Sequence, residues 1–137
     1  MFDADAVDRW LSAYLKAWRT DAREDIAALF EPEARYYTAP YREPYRGRGA
    51  IVDWWTENGD SAVPWTFEYR VLAGEGPLYV VRGVTTYAEG VENPGVADVY
   101  DNVWLVTLAA SGRASEFVEY WMLREAPVRG DLEEGHD

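Results

Sequence analysis

The sequence predicts an α+β fold, a cone-shaped, curved antiparallel sheet closed by three N-terminal helices around a pocket. Three observations carry that expectation. Apolar residues recur at the helical period up to Asn58-Gly59 and alternate at the strand period afterwards. Helical and strand-like segments are therefore segregated along the chain, which puts helices at one end of an antiparallel sheet. Seven Trp and ten Tyr exceed what a core needs, so part of the load lines a pocket or covers an interface.

Each element has its own signature. Val7, Trp10, Leu11, Tyr14 and Trp18 form one stripe of an amphipathic first helix, with Asp3 or Asp5 as its cap. Asp21 followed by Glu24 resembles a capping box for a short second helix, whose apolar face is Ile26, Leu29 and Phe30. Pro32 sits just past it. Arg35 to Thr38 reads as a short strand. A Pro- and Tyr-rich loop from Ala39 to Gly47 follows, in which Tyr41 and Tyr45 are candidates to gate a pocket. Ile51, Trp54 and Trp55 mark the third helix, closed by Asn58-Gly59. Trp65 to Val71 alternates as a strand, Gly74 to Pro77 is a turn, and Leu78 to Tyr87 is the next strand. Glu89 to Gly95 is a polar loop. Residues 1–125 are expected to form a single domain, and 126–137 read as a polar tail expected to be flexible.

The last two strands hold the most informative residue. Ser111-Gly112 between two apolar runs is a two-residue hairpin signal. That turn pairs Ala110 with Arg113, Trp104 with Glu119, and Asn102 with Trp121. Because side chains alternate faces, Asn102, Trp104, Phe117, Glu119 and Trp121 share one face. An ionised Glu among aromatic rings is costly to bury without partners. Its face therefore opens into a polar pocket or looks at solvent. The parity depends on the turn length: a three-residue loop sends Glu119 to the other face.

Composition removes several function classes. With 25 acidic against 13 basic residues the net charge is −12, which disfavours nucleic acid and anionic membrane surfaces as partners. The chain has no Cys, so disulfides and thiolate sites are excluded, and its one His, His136, sits in the polar tail. Neither a His-based metal site nor a Gly-rich phosphate loop can be traced, so no metal or other cofactor is expected. With no signal-like segment and no long apolar run, a cytoplasmic protein is the default expectation.

Element order and residues together resemble the nuclear transport factor 2-like superfamily, in particular its SnoaL-like and ketosteroid-isomerase-like branch. The matching pieces are Trp18 to Phe30, Glu33 to Tyr37, the run holding Pro40, Gly47, Ile51, Trp54 and Trp55, Asn102-Val103-Trp104, and Gly112-Arg113 with Glu119-Tyr120-Trp121. The resemblance covers residues 5–124 and implies a deep pocket and a homodimer through the outer sheet face. Steroid isomerases of this fold carry a Tyr oxyanion donor on the first helix, and Tyr14 matches it. They place an Asp base at the end of the first strand, where this chain has Thr38, which cannot take up a proton at neutral pH. Their second acid, on the fourth strand, corresponds to Trp104 here, with Asp101 on the opposite face.

The candidates divide by chemistry. Glu119 is a general acid/base or a ligand-orienting carboxylate, since an apolar surround raises a carboxyl pKa toward neutrality. Its plainer reading is a structural acceptor for a Trp or Tyr. Tyr14 is its catalytic companion, or an aromatic whose hydroxyl is satisfied at the core edge. Asn102, Trp104, Trp121, Trp18, Tyr36, Thr38 and Trp55 are the substrate-binding candidates, with plain core packing as the alternative for the Trp residues. Val103, Leu105, Val118, Tyr120 and Met122 form an apolar strip on the outer face that a twofold partner would cover. The expected function is a small-molecule pocket acting on an apolar, oxygen-bearing substrate as an isomerase, cyclase or dehydratase. The alternative is a non-catalytic carrier or a homodimeric module of the same fold.

Overall fold

The computed structural model describes residues 3–59, 64–88 and 95–125. Residues 89–94 of the predicted loop and the tail at 126–137 lie outside the described residues. The order is α1 (Ala4–Thr20), α2 (Arg23–Ala27), β1 (Phe30–Tyr37), β2 (Tyr45–Arg46), α3 (Arg48–Glu57), β3 (Trp65–Glu75), β4 (Leu78–Tyr87), β5 (Asp98–Leu108) and β6 (Ala114–Leu123).

Asp3 caps α1 by accepting the Ala6 N–H. The predicted stripe follows: Val7, Trp10, Leu11 and Tyr14 are buried, and the Trp10 indole donates to the Leu29 carbonyl at 2.9 Å. Asp21 corrects the sequence reading. It does not cap α2, whose N-cap is Ala22 without a side-chain bond; it ends α1 in the left-handed conformation, at φ 51°. Its carboxylate accepts the Trp55 indole N–H at 3.0 Å, which ties the end of α1 to α3. Helix α2 also stops at Ala27, so Leu29 and Phe30 are buried from the approach to β1 and not from a helix. The Ala114 N–H donates to the Leu29 carbonyl, and β1 begins at Phe30, earlier than the sequence suggests. Pro32 falls inside β1, in the stretch between Phe30 and Arg35 where the register against β6 shifts. Such irregular stretches are where a strand tolerates a missing N–H.

The sheet order is β2-β1-β6-β5-β4-β3. The meander from β3 to β6 is antiparallel as expected, and so is the short β2 against β1, but β1 lies parallel to β6. Register shifts in β3 and at the end of the β5–β6 ladder add local bends, and such irregularities curve a sheet. The concave face packs on α1 and α3 around Trp104, Val106, Phe117 and Val81, all of them buried. Gly83 serves the same packing. A Cβ there would collide with the Phe67 ring, so only Gly lets Phe67 cross the strand and stack on Trp104, with ring centroids 4.7 Å apart.

The β5–β6 turn departs from the expected geometry. Ala109, not Ala110, pairs with Arg113, which leaves a three-residue loop with Gly112 at φ 90°. That loop alone would turn Glu119 outward. The ladder instead shifts by one residue between Leu108–Ala114 and Thr107–Glu116, so Ser115 is an extra, bulged residue. The bulge restores the parity, and Trp104 stands opposite Glu119 as the sequence predicts.

Candidate functional site

Above the core, the inward residues of β5 and β6 leave the helices and bound a cavity of about 410 Å³. All nine sequence candidates lie on its wall: Tyr14, Trp18, Tyr36, Thr38 and Trp55 from the helices and the β1 end, and Asn102, Trp104, Glu119 and Trp121 from the sheet. Trp54, Asn58 and Gly59 complete the helical side. The sheet adds Thr85, Tyr87, Asp98 and Tyr100, which the candidate set omits. The sequence carries part of their signal. Thr85 and Tyr87 share the inward parity of β4, and Tyr100 is two residues before Asn102. Asp98 is hidden because it follows a polar Gly/Pro loop and reads as part of it.

Glu119 is held from two sides. Its Oε2 accepts the Asn102 amide N–H at 2.8 Å and the Trp104 indole N–H at 3.2 Å. Asn102 is fixed in turn, because the Thr85 hydroxyl donates to its Oδ1 at 2.9 Å. That contact orients the amide, so its NH₂ faces the carboxylate. The plainer reading of Glu119, an acceptor for an indole, therefore describes one of its contacts, and the cavity wall describes its position.

Tyr14 and Tyr36 share a hydrogen bond of 2.7 Å between their hydroxyls at the buried end of the cavity. Burial pushes the Tyr14 phenol well above its ordinary pKa, and the Tyr36 hydroxyl and the Glu119 carboxylate add to that shift. Tyr14 is thus a protonated donor at physiological pH. Its ring lies 4.7 Å from Trp104 and 5.1 Å from Trp55, which fixes its position. At the other end, Trp121 is 44% exposed and donates from its indole to the Thr38 carbonyl at 3.2 Å. Trp121 and Thr38 therefore form the rim. Tyr41, a proposed gate, is exposed beside Arg42 and does not line the cavity; Tyr45 stacks on Trp54, 5.1 Å away, and does not line it either. Among the described residues, no group of three or more His, Asp or Glu side chains is placed to hold a metal ion. No helix among them is long and apolar enough to cross a membrane.

A curved sheet folded over three helices, with an aromatic cavity between them, defines a class of α+β pocket proteins. Residues 11–120 match the SnoaL-like domain family, and the chain belongs to it. Solved structures agree on the fold. SalBIII, an epoxide hydrolase/cyclase-like enzyme of pyran ring formation in the polyether salinomycin, superposes with a TM-score of 0.69 at 18% identity, over 89% of this chain and 95% of its own. A candidate ketosteroid isomerase from Kribbella flavida gives 0.65 at 21% identity, over 94% of this chain and 87% of its own. A computationally designed 17-OHP binder gives 0.64 at 12% identity, over 82% of this chain and 90% of its own. No curated protein matches the sequence.

Proposed function

We propose that the cavity binds a small, largely apolar, oxygen-bearing molecule and that Glu119 moves a proton on it, as in an isomerase, cyclase or dehydratase. The observation that carries this reading is the Glu119 carboxylate on an aromatic cavity wall, gripped by Asn102 and Trp104. A volume of about 410 Å³ suits a drug-sized ligand, and mostly apolar walls with a few convergent polar groups are the usual form of such sites. Tyr14, kept protonated and oriented by Tyr36, is the donor for a ligand oxygen on which negative charge develops. The Asn102–Thr85 contact holds the carboxylate's geometry from one turnover to the next. The cyclase, isomerase and binder among the structural neighbours support a small-molecule role without choosing among these reactions. In the Glu119→Gln variant the fold is retained and turnover or ligand binding is lost; unchanged binding and turnover would remove Glu119 from the mechanism.

A second reading, a carrier or homodimeric module, is favoured by one observation. Thr38 stands where steroid isomerases of this fold have their base, and its hydroxyl accepts a bond from Arg42 at 3.4 Å. The outer strip fits the dimeric form of that reading, since Tyr120 and Met122 are 44% and 69% exposed. Sedimentation showing only monomer at micromolar concentration would count against the dimer.

A further inference from the structure

We propose that the cavity selects a cationic ligand, an amine or quaternary ammonium group carried on an apolar body. The inference rests on the reading of this cavity as a ligand site and names the charge of what enters it. Two carboxylates line the wall, Glu119 and Asp98, and among the described lining residues there is no Lys, Arg or His. Asp98 is 2% exposed, so its carboxyl is part of the wall and not of the solvated surface. It stands four residues from Asn102 along β5, on the same face, roughly 13 Å away at the rise of a strand. Glu119, bonded to Asn102, therefore marks one part of the cavity and Asp98 another, with aromatic rings between them. The Tyr100 ring lies 5.9 Å from both Tyr87 and Trp121, and α3 supplies Trp54 and Trp55 from the other side.

Aromatic faces carry partial negative charge and attract ammonium groups, most strongly where water is excluded. An anionic ligand would meet the negative faces of the rings and find no cationic partner on the described wall. Arg42 reaches the rim at the Thr38 hydroxyl, but its guanidinium rests on the exposed Tyr41 ring, 5.3 Å from its centroid, where solvent screens it. The net charge of −12 also draws cations toward the molecule.

The test compares three probes of similar shape on the full chain by calorimetry: benzyltrimethylammonium, its uncharged isostere neopentylbenzene, and phenylacetate. Benzyltrimethylammonium is expected to bind at least about tenfold tighter than neopentylbenzene, with phenylacetate weakest. Glu119→Gln and Asp98→Asn should each narrow the gap between cation and isostere. Neopentylbenzene or phenylacetate binding as tightly as the cation overturns the inference and leaves the ligand site standing. Binding of none of the three also overturns it; the ligand-site reading then falls too only if a broad library of neutral apolar compounds fails to stabilise the protein. The wild-type comparison decides the question by itself if either variant fails to fold.

Discussion

Replacing Glu119 separates its two roles by size. Its Oε2 is the shared acceptor of the Asn102 amide and the Trp104 indole, which belong to residues only 5% and 1% exposed. Glu119→Ala strands both donors. A buried donor without an acceptor costs about 1–3 kcal/mol, and water from the adjoining cavity recovers part of that, so the pair should cost about 2–4 kcal/mol. Glu119→Gln keeps an oxygen in the same place and loses only the charge assistance, about 1 kcal/mol in all. Urea unfolding followed by tryptophan fluorescence measures both. With a slope of about 1–3 kcal/mol per molar, the Ala variant should lose about 1–3 M in midpoint and the Gln variant less than half as much. Equal midpoints for Ala and Gln, or an Ala variant as stable as wild type, would refute the claim that the carboxylate is the anchor of this polar group.

The surrounding contacts can be tested in the same way. Thr85→Val removes the donor that orients the Asn102 amide and should cost about 1–2 kcal/mol in thermal unfolding, with ligand affinity falling further than stability. Gly83→Ala drives a methyl into the Phe67 ring and should cost about 1–3 kcal/mol, with a change in near-ultraviolet circular dichroism as the Phe67–Trp104 stack loosens. Asp101 on the outer face is held below its ordinary pKa by the Arg124 guanidinium, which donates to it at 2.7 and 2.9 Å. Its stabilisation is therefore present above about pH 4, the unfolded value, and is lost as the pH falls through the lower folded value. Solvent screening keeps it within about 1 kcal/mol, and Asp101→Asn should flatten this part of the acid limb of a melting-temperature curve.

Most of the fold is legible in the sequence because the core-facing residues keep their periods. Val7 to Tyr14 and Trp65 to Val71 each announce one inward face, and Leu78 to Tyr87 matches β4 end to end. The turn at Ser111-Gly112 shows where such reading fails. Gly112 does take the positive φ, but loop length is set by the pairing of Ala109 with Arg113, and the Ser115 bulge has no mark of its own in the sequence. Two departures cancel there, so Glu119 reaches the predicted face by a different route. Asp21 looks like a cap because an Asp three residues before a Glu fits that motif. Its actual partner is Trp55, 34 residues away, and no local pattern reports a tertiary donor. β2 escapes notice for a similar reason, since Tyr45 and Arg46 form a strand only by pairing with Tyr36 and Arg35. In the site, aromatic residues on known faces are found from their spacing. Asp98 at the start of β5 is not, because its burial depends on where the preceding loop joins the sheet.

The central claim is that Glu119 belongs to a working ligand site and not only to a structural hydrogen-bond group. A thermal-shift screen of wild type and Glu119→Gln against neutral and cationic apolar compounds tests it most directly. At a hundredfold excess over its dissociation constant a ligand stabilises the folded state by about 2.7 kcal/mol, which is a rise of roughly 5–10 °C for a chain of this size. The expected result is such a rise in wild type and its loss in the folded Gln variant. Equal rises in the two proteins, or none in either across the panel, would contradict the claim.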